Sequence, residues 1–387
     1  MWYFNSPEIV FGEDALNRLE EIGGQRAFIV TDENMVRLGF VERVQERLSV
    51  AGLASAVFAK VEPDPSVQTA QRCAAALTEY QPDWIIGLGG GSSLDAAKAA
   101  WFLYERPDVE PAAINPFDDF GLGAKARLIC IPTTSGTGAE VTWALVLTDT
   151  EEQRKLGLGS RELTANIAIV DPSFVMGLPP QVTADTGIDA LTHAVEGYTS
   201  TYQNDFCDGL CLKAIQLVFS YLPRAYADGA DVEARERMHN AATIAGLGFG
   251  NAMAALAHAM GHALGGVFHT PHGRAVGLFL PYTIEFTTNA AVGRYADIAH
   301  FLRLPAQDEA QGAASLVAAI RKLKQTINQP NAICELDVSP ADFETALPHL
   351  IANAESDTCL VMSARIPDSA ELERLFCYAY EGRPIDF

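Results

Sequence analysis

The chain has no excess of positive charge. Its 387 residues carry 27 Lys and Arg against 49 Asp and Glu, for a formal net charge of −22. Nucleic acids and anionic membrane surfaces both select clustered Lys and Arg, so neither is an expected partner. No run of like charges is long enough to act as a tail. No segment approaches the roughly 18 apolar residues of a membrane span. The opening residues, MWYFNSPEIVFGEDAL, lack the basic start and apolar block of a secretory leader. The 7 cysteines are odd in number and include no CxxC. That argues against a disulfide framework and for a reducing cytoplasm with mostly buried thiols. Cys207 and Cys211, at i and i+4, could join a metal site, but packing in a core is the simpler account. No internal repeat and no low-complexity linker interrupts the chain.

What is present describes an ordinary globular protein, 49% hydrophobic and 20% charged, long enough for two domains. In the first half, short β-rich runs alternate with helical patterns. AFIVTD reads as a strand and NMVRLGFVERVQERLS as a helix. SAVFAKV is a strand, SVQTAQRCAAALTEY a helix. WIIGLGGG runs from a strand into a glycine turn before the helix SLDAAKAAWFLY. RLICIPTT, WALVLTD and IAIVD are further strands. Such alternation predicts a largely parallel sheet with helices on its faces, which binds ligands beyond the carboxyl ends of its strands. From Thr183 onward the periodicity is helical. Pro179-Pro180 is a natural break. The expected organisation is a Rossmann-like α/β domain over 1–180 and a helical domain over 181–387. A reaction centre is expected in the cleft between them.

Four of the 8 histidines fall in LAHAMGHALGGVFHTPHG: His258, His262, His269 and His272. Earlier, GIDALTHAVEG places Asp189 and His193 at i, i+4, on one helix face. His258 and His262 repeat that spacing. Gly265, Gly266, Pro271 and Gly273 allow the chain to bend His272 back toward them. Three imidazoles and a carboxylate suit a borderline divalent metal. In a nearly uncharged Ala/Gly-rich segment these groups would lack partners unless something binds them. His239, His300 and His349 read as ordinary packing or surface residues.

Two glycine loops follow strands. GLGGGSSLDAAK (Gly87–Lys98) opens a helix whose free N–H groups suit a pyrophosphate. It is neither a GxGxxG, since Ser92 takes the third glycine's place, nor a Walker A loop. PTTSGTGAEVT (Pro132–Thr142) can cradle phosphate or ribose. Asp32, ending the first clear strand, can accept hydrogen bonds from a ribose and repel a 2′-phosphate; it could also be a turn residue.

Taken in order, FNSPEIVFGEDAL, VTDENMVRLG, EPDPS, GGGSSLDAAK, PTTSGTGAEVT, GIDALTHAVEGY and HAMGHALGGVFHTPHG resemble the iron-containing, or group III, alcohol dehydrogenase family over nearly the whole chain. The resemblance implies metal ligands at Asp189, His193, His258 and His272. It puts His262 near the nicotinamide, as a candidate proton relay. It implies cofactor contacts at Asp32, Asp64, Gly90, Gly91, Ser92, Asp95, Thr133, Thr134, Thr142 and Lys155, with Phe174 and Gly177 in the same pocket. The implied cofactors are NAD and Fe²⁺, with Zn²⁺ able to take its place. The implied substrate is a small primary alcohol or aldehyde, and the implied assembly a homodimer or higher homo-oligomer. Three departures stand out. Asp64 replaces the asparagine of the family's PNP. Trp143-Ala144-Leu145 stands where diol-reducing relatives carry a polar residue. His269 occupies a position that is often Asn. The rival readings are an NAD-using lyase of the dehydroquinate synthase type, a metal-free reductase of the maleylacetate type, and a non-catalytic metal-binding protein. The first lacks the Lys and Arg a phosphorylated substrate needs, the second leaves the ligand set unused, and the third leaves both glycine loops unexplained.

Overall fold

The computed structural model describes residues 3–150, 154–290 and 294–387. Two compact units divide the chain, Met1–Met176 and Gly177–Phe387.

The first unit runs β1 (Glu8–Phe11), β2 (Arg26–Val30), α1 (Glu33–Arg37), α2 (Phe40–Val50), β3 (Ala54–Phe58), α3 (Val67–Tyr80), β4 (Trp84–Gly89), α4 (Gly91–Glu105), β5 (Arg127–Pro132), β6 (Ala144–Asp149), β7 (Arg154–Gly159) and β8 (Ile167–Val170). Six strands form a sheet in the order β1-β8-β5-β4-β2-β3, parallel at every pairing. Every residue of central β4, Trp-Ile-Ile-Gly-Leu-Gly, is buried, as expected of a strand covered on both faces. One core packs Val30, Ile85, Leu94 and Leu128. Another packs Ile29, Ile86, Ile131 and Ile169. The alternation of side chains along each strand supplies both.

Two expectations are corrected here. WALVLTD does not extend the parallel sheet. It forms β6, paired antiparallel with β7 in a separate two-stranded hairpin. NMVRLGFVERVQERLS is not one helix, because Gly39 adopts φ +74 and divides α1 from α2. A residue in the left-handed region cannot continue an α-helix. Strand β1 was not anticipated.

The second unit is helical: α5 (Pro180–Thr199), α6 (Asp205–Ala227), α7 (Val232–Gly250), α8 (Leu256–Phe268), α9 (His272–Thr288), α10 (Tyr295–Phe301), α11 (Glu309–Thr326), α12 (Pro340–Ser356) and α13 (Ser369–Glu381). Its core gathers Ile188, Leu191 and Val195 of α5 with Leu222 of α6, Leu264 of α8 and Leu278 of α9. Proline at the first position starts α5, where its missing N–H is no loss. Cys207 and Cys211 are buried on α6, outside the histidine cluster, so they are core thiols. None of the described helices is long and apolar enough to cross a membrane.

Candidate metal centre and dinucleotide loops

The second unit brings Asp189 and His193 of α5, His258 of α8 and His272 of α9 together, with one ligand atom from each within 4.8 Å of the others. Asp189 Oδ1 is the common neighbour. It lies 3.6 Å from His193 Nδ1, 4.0 Å from His258 Nε2 and 3.4 Å from His272 Nε2. Helical spacing sets the first pair. The α8–α9 turn supplies the rest: His269 caps α8 at φ +54 and His272 opens α9 after Pro271. Gly273 makes the approach possible. A Cβ there would sit 2.1 Å from the carbonyl oxygen of Asp185 and 2.8 Å from Asp189 Cβ. His269 is exposed at that turn and is no member of the cluster.

Asp189 Oδ1, His193 Nδ1 and His258 Nε2 are buried without a hydrogen-bond partner. Such atoms are expensive to bury unless something completes them. Burial would raise the Asp189 carboxyl. The facing imidazoles of His193, His272 and His258 outweigh it and hold the group well below the usual carboxylate range. Burial pushes His193 down to about 3 against the pull of Asp189, with His258 and His272 adding to the depression. Both groups therefore sit in their metal-ligating forms at neutral pH. A carboxylate and three imidazoles suit Fe²⁺ or Zn²⁺, so the residues fit the ion.

The surrounding residues orient these ligands. Glu196 of α5 is buried and accepts from Ala255 N at 2.9 Å, Ala257 N at 2.5 Å and His258 Nδ1 at 2.5 Å. With its proton on Nδ1, His258 turns the lone pair of Nε2 toward Asp189. Phe249 of α7 stacks on His193, centroids 3.9 Å apart and planes at 13°. Neither residue was anticipated. Glu196 had a signal, since it continues the Asp189/His193 face at i+7. His262, half-buried, bonds through Nδ1 to Asp357 Oδ2 at 2.7 Å and stacks on His272 at 5.3 Å. Burial pushes its pKa down and Asp357 pulls it back only in part. His239 is buried on α7 and is no member of the four-residue group.

In the first unit, Gly89 adopts φ +146 at the end of β4, and a Cβ there would meet Ser93 Oγ at 2.6 Å. Gly90 then opens α4 with no side-chain cap; the Ser93 N–H donates to the Gly90 carbonyl at 3.0 Å, and the N–H groups of Gly91 and Ser92 ahead of it suit a ligand. Thr134 lies against Gly90, 3.5 Å from the place its Cβ would take. Asp32 caps α1 through Asn34 N at 2.7 Å and stands 3.4 Å from Ser93 Oγ. These residues assemble around one strand-end loop.

Several expected contacts are engaged elsewhere. Asp95 Oδ2 accepts from Val146 N at 3.0 Å. Thr142 is buried and accepts from Lys98 Nζ through its carbonyl at 2.7 Å and its hydroxyl at 3.3 Å. Asp95 and Lys98, one turn apart on α4, thereby fasten the start of the β6–β7 hairpin. Thr133 is buried and donates its N–H to the Gly89 carbonyl at 2.9 Å. Lys155 Nζ pairs with Asp64 Oδ1 at 2.6 Å, and Asp64 N donates to Ser92 Oγ at 3.3 Å. Asp64 thus takes the lysine charge that an asparagine would leave free. Phe174 is 1% exposed and packs edge-on against Phe40 at 4.9 Å. Its ring lies in the core of the first unit. Gly177 adopts φ +76 at the first residue of the helical unit.

Comparison with known proteins gives a consistent result. The family "Iron-containing alcohol dehydrogenase" matches residues 6–172, and "Fe-containing alcohol dehydrogenase family, C-terminal" matches residues 183–380. The chain is 37% identical to the NADPH-dependent butanol dehydrogenase of Clostridium saccharobutylicum, covering 100% of both chains. It is 38% identical to aldehyde-alcohol dehydrogenase 2 of Entamoeba histolytica, covering 98% of this chain but 46% of that one. The chain therefore spans about half the length of the aldehyde-alcohol dehydrogenases it matches. Among solved structures, a 1,3-propanediol oxidoreductase superimposes with TM-score 0.91 at 32% identity, covering 98% of this chain and 100% of that one. The iron-containing alcohol dehydrogenase of Thermococcus thioreducens gives 0.90 at 31%, covering 99% and 100%. A sulfoacetaldehyde reductase of Bifidobacterium kashiwanohense, solved in complex with NAD⁺, gives 0.87 at 28%, covering 98% and 99%.

Proposed function

The chain belongs to the iron-containing alcohol dehydrogenase family, and from that premise we propose that it moves hydride between a small primary alcohol and NAD, in either direction. The observation that carries the reading is the set of ligand atoms at Asp189, His193, His258 and His272, three of them buried without partners. Lewis acidity toward the substrate oxygen is what a divalent ion supplies at such donors, and hydride acceptance is what NAD supplies. The rest is the work of this chain's side chains. Asp189 and the three imidazoles hold the ion. Glu196 fixes His258 in the ligating tautomer. Asp357 accepts the Nδ1 proton of His262, so Nε2 keeps its lone pair and takes the alcohol proton. A depressed pKa keeps His262 neutral and ready for that step. Gly90, Gly91 and Ser92, at the uncapped start of α4, receive the pyrophosphate. Asp32 accepts from the adenosine ribose and repels a 2′-phosphate, which favours NAD over NADP.

Named relatives act on butanol and 1-propanol, which supports an unbranched primary alcohol of a few carbons. The proposal includes a cytoplasmic homodimer or larger homo-oligomer. All seven cysteines are free, in keeping with a reducing compartment. A lyase of the dehydroquinate synthase type gains no support from these relatives. The direct test mixes iron-loaded protein with NAD and a panel of primary alcohols and follows NADH absorbance. NADH formation with several of them is the expected result. An iron-loaded, folded protein that forms none with any alcohol and consumes none with any aldehyde overturns the reading.

A further inference from the structure

We propose that His262, Asp357 and Cys359 form a second, inhibitory site for a thiophilic divalent cation such as Zn²⁺ or Cd²⁺. It shares no residue with the four-ligand centre. His262 projects from α8, Asp357 ends α12, and Cys359 follows two residues later. Each offers one ligand atom, and the three atoms lie within 4.8 Å of one another. The turn that holds them is fixed, since Asp357 Oδ1 accepts from Cys359 N at 2.8 Å. The other carboxylate oxygen meets His262 Nδ1 at 2.7 Å. All three residues are half-buried, so an ion can enter from solvent and still be shielded once bound.

The donor set is one nitrogen, one oxygen and one sulfur. A thiolate excludes Mg²⁺ and Ca²⁺ as natural occupants and selects Zn²⁺-like ions. Three protein ligands leave one position for water. Carboxylate and thiolate bring two negative charges, which offsets repulsion from an ion in the neighbouring centre. Binding releases one proton, from the Cys359 thiol. The His262 proton is not lost. It moves from Nδ1, which takes the ion, to Nε2. The lone pair assigned above to proton transfer disappears, so filling the site stops turnover without displacing iron. That last consequence rests on the function proposed above, whereas binding itself does not.

The test loads the protein with one equivalent of Fe²⁺ under anaerobic conditions, then titrates Cd²⁺. Three quantities are read: both metals per chain, the ultraviolet thiolate-to-Cd²⁺ band, and NADH formation. Wild type should retain its iron, bind one Cd²⁺, show the band and lose activity. Cys359→Ser should keep basal activity and bind Cd²⁺ markedly more weakly, without the band, because a hydroxyl replaces the soft thiolate. The paired control Cys334→Ser/Cys377→Ser, which removes the exposed Cys334 and half-buried Cys377, should behave as wild type. Cd²⁺ that merely replaces iron one for one overturns the proposal. So does a band that survives in Cys359→Ser or vanishes in the paired control. If the protein oxidises no alcohol, the stoichiometry and the band still decide the matter.

Discussion

Glu196→Gln separates a structural carboxylate from one that tunes the metal centre. In the wild type, Oε2 accepts from Ala255 N at 2.9 Å and His258 Nδ1 at 2.5 Å, while Oε1 accepts from Ala257 N at 2.5 Å. Three donors converge on two acceptor atoms. Glutamine keeps one acceptor and replaces the other with a donor. If its oxygen faces His258, its amide nitrogen opposes the Ala257 N–H. If the amide is reversed, His258 loses its acceptor and the tautomer is no longer held. Either arrangement leaves a buried donor unpaired, at about 1–3 kcal/mol. Partners that orient metal-ligating histidines typically change metal affinity by about 10–100-fold, which is about 1.4–2.8 kcal/mol at 1.4 kcal/mol per tenfold. The assay is competition for Fe²⁺ or Zn²⁺ against a chelator, with thermal unfolding of the metal-free and loaded forms. The variant should bind metal at least tenfold more weakly and gain less thermal stability on loading. A variant that is less stable but binds metal within twofold of wild type refutes the reasoning, because Glu196 would then serve only the start of α8.

Three further outcomes are expected. His262→Ala should retain its metal and lose about 10²–10⁴-fold in kcat, the usual share of general acid–base catalysis; metal analysis beside kcat checks this, and loss of metal would make His262 a ligand. Asp32→Gly should narrow an NAD-over-NADP preference of at least tenfold, about 1.4 kcal/mol, mainly by tightening NADP; equal wild-type affinity for both, measured by titration of metal-free protein, contradicts it. Metal-free protein should lose stability as pH falls. The folded pKa of His193 is pushed down to about 3 from its ordinary 6.5, so below pH 6.5 the unfolded chain binds the proton that the folded chain refuses. The loss should accumulate until about pH 3 and be smaller in His193→Gln. Denaturant melts across that range check it, and equal pH slopes for the two proteins contradict it.

The legibility of these features in the sequence followed the range of the interactions. Asp189 with His193, and His258 with His262, were visible because a helix puts i and i+4 on one face. His272 was visible because the glycines and Pro271 mark a turn. Glu196 lay on the Asp189 face and could have been found by carrying the periodicity one turn further. Asp357 could not, since 95 residues separate it from His262 and nothing local marks a C-terminal helix end as part of the site. Five of the six strands of the parallel sheet, all but the edge strand β1, were legible from their apolar runs and the helices between them. The β6–β7 hairpin was not: WALVLTD has the composition of its neighbours, and only its antiparallel partner reveals that it leaves the sheet. The edge-on packing of Phe174 against Phe40 was equally illegible, because the two residues lie far apart in the sequence.

The central claim is that Asp189, His193, His258 and His272 hold one catalytic ion per chain. NADH formation from a primary alcohol, measured on one preparation against iron content after chelation and stepwise return of Fe²⁺, tests it directly. The account predicts no turnover in the chelated, still folded protein, and activity rising in proportion to iron up to one equivalent. Full activity in protein shown to hold no metal, or one bound iron per chain without any turnover, would contradict it.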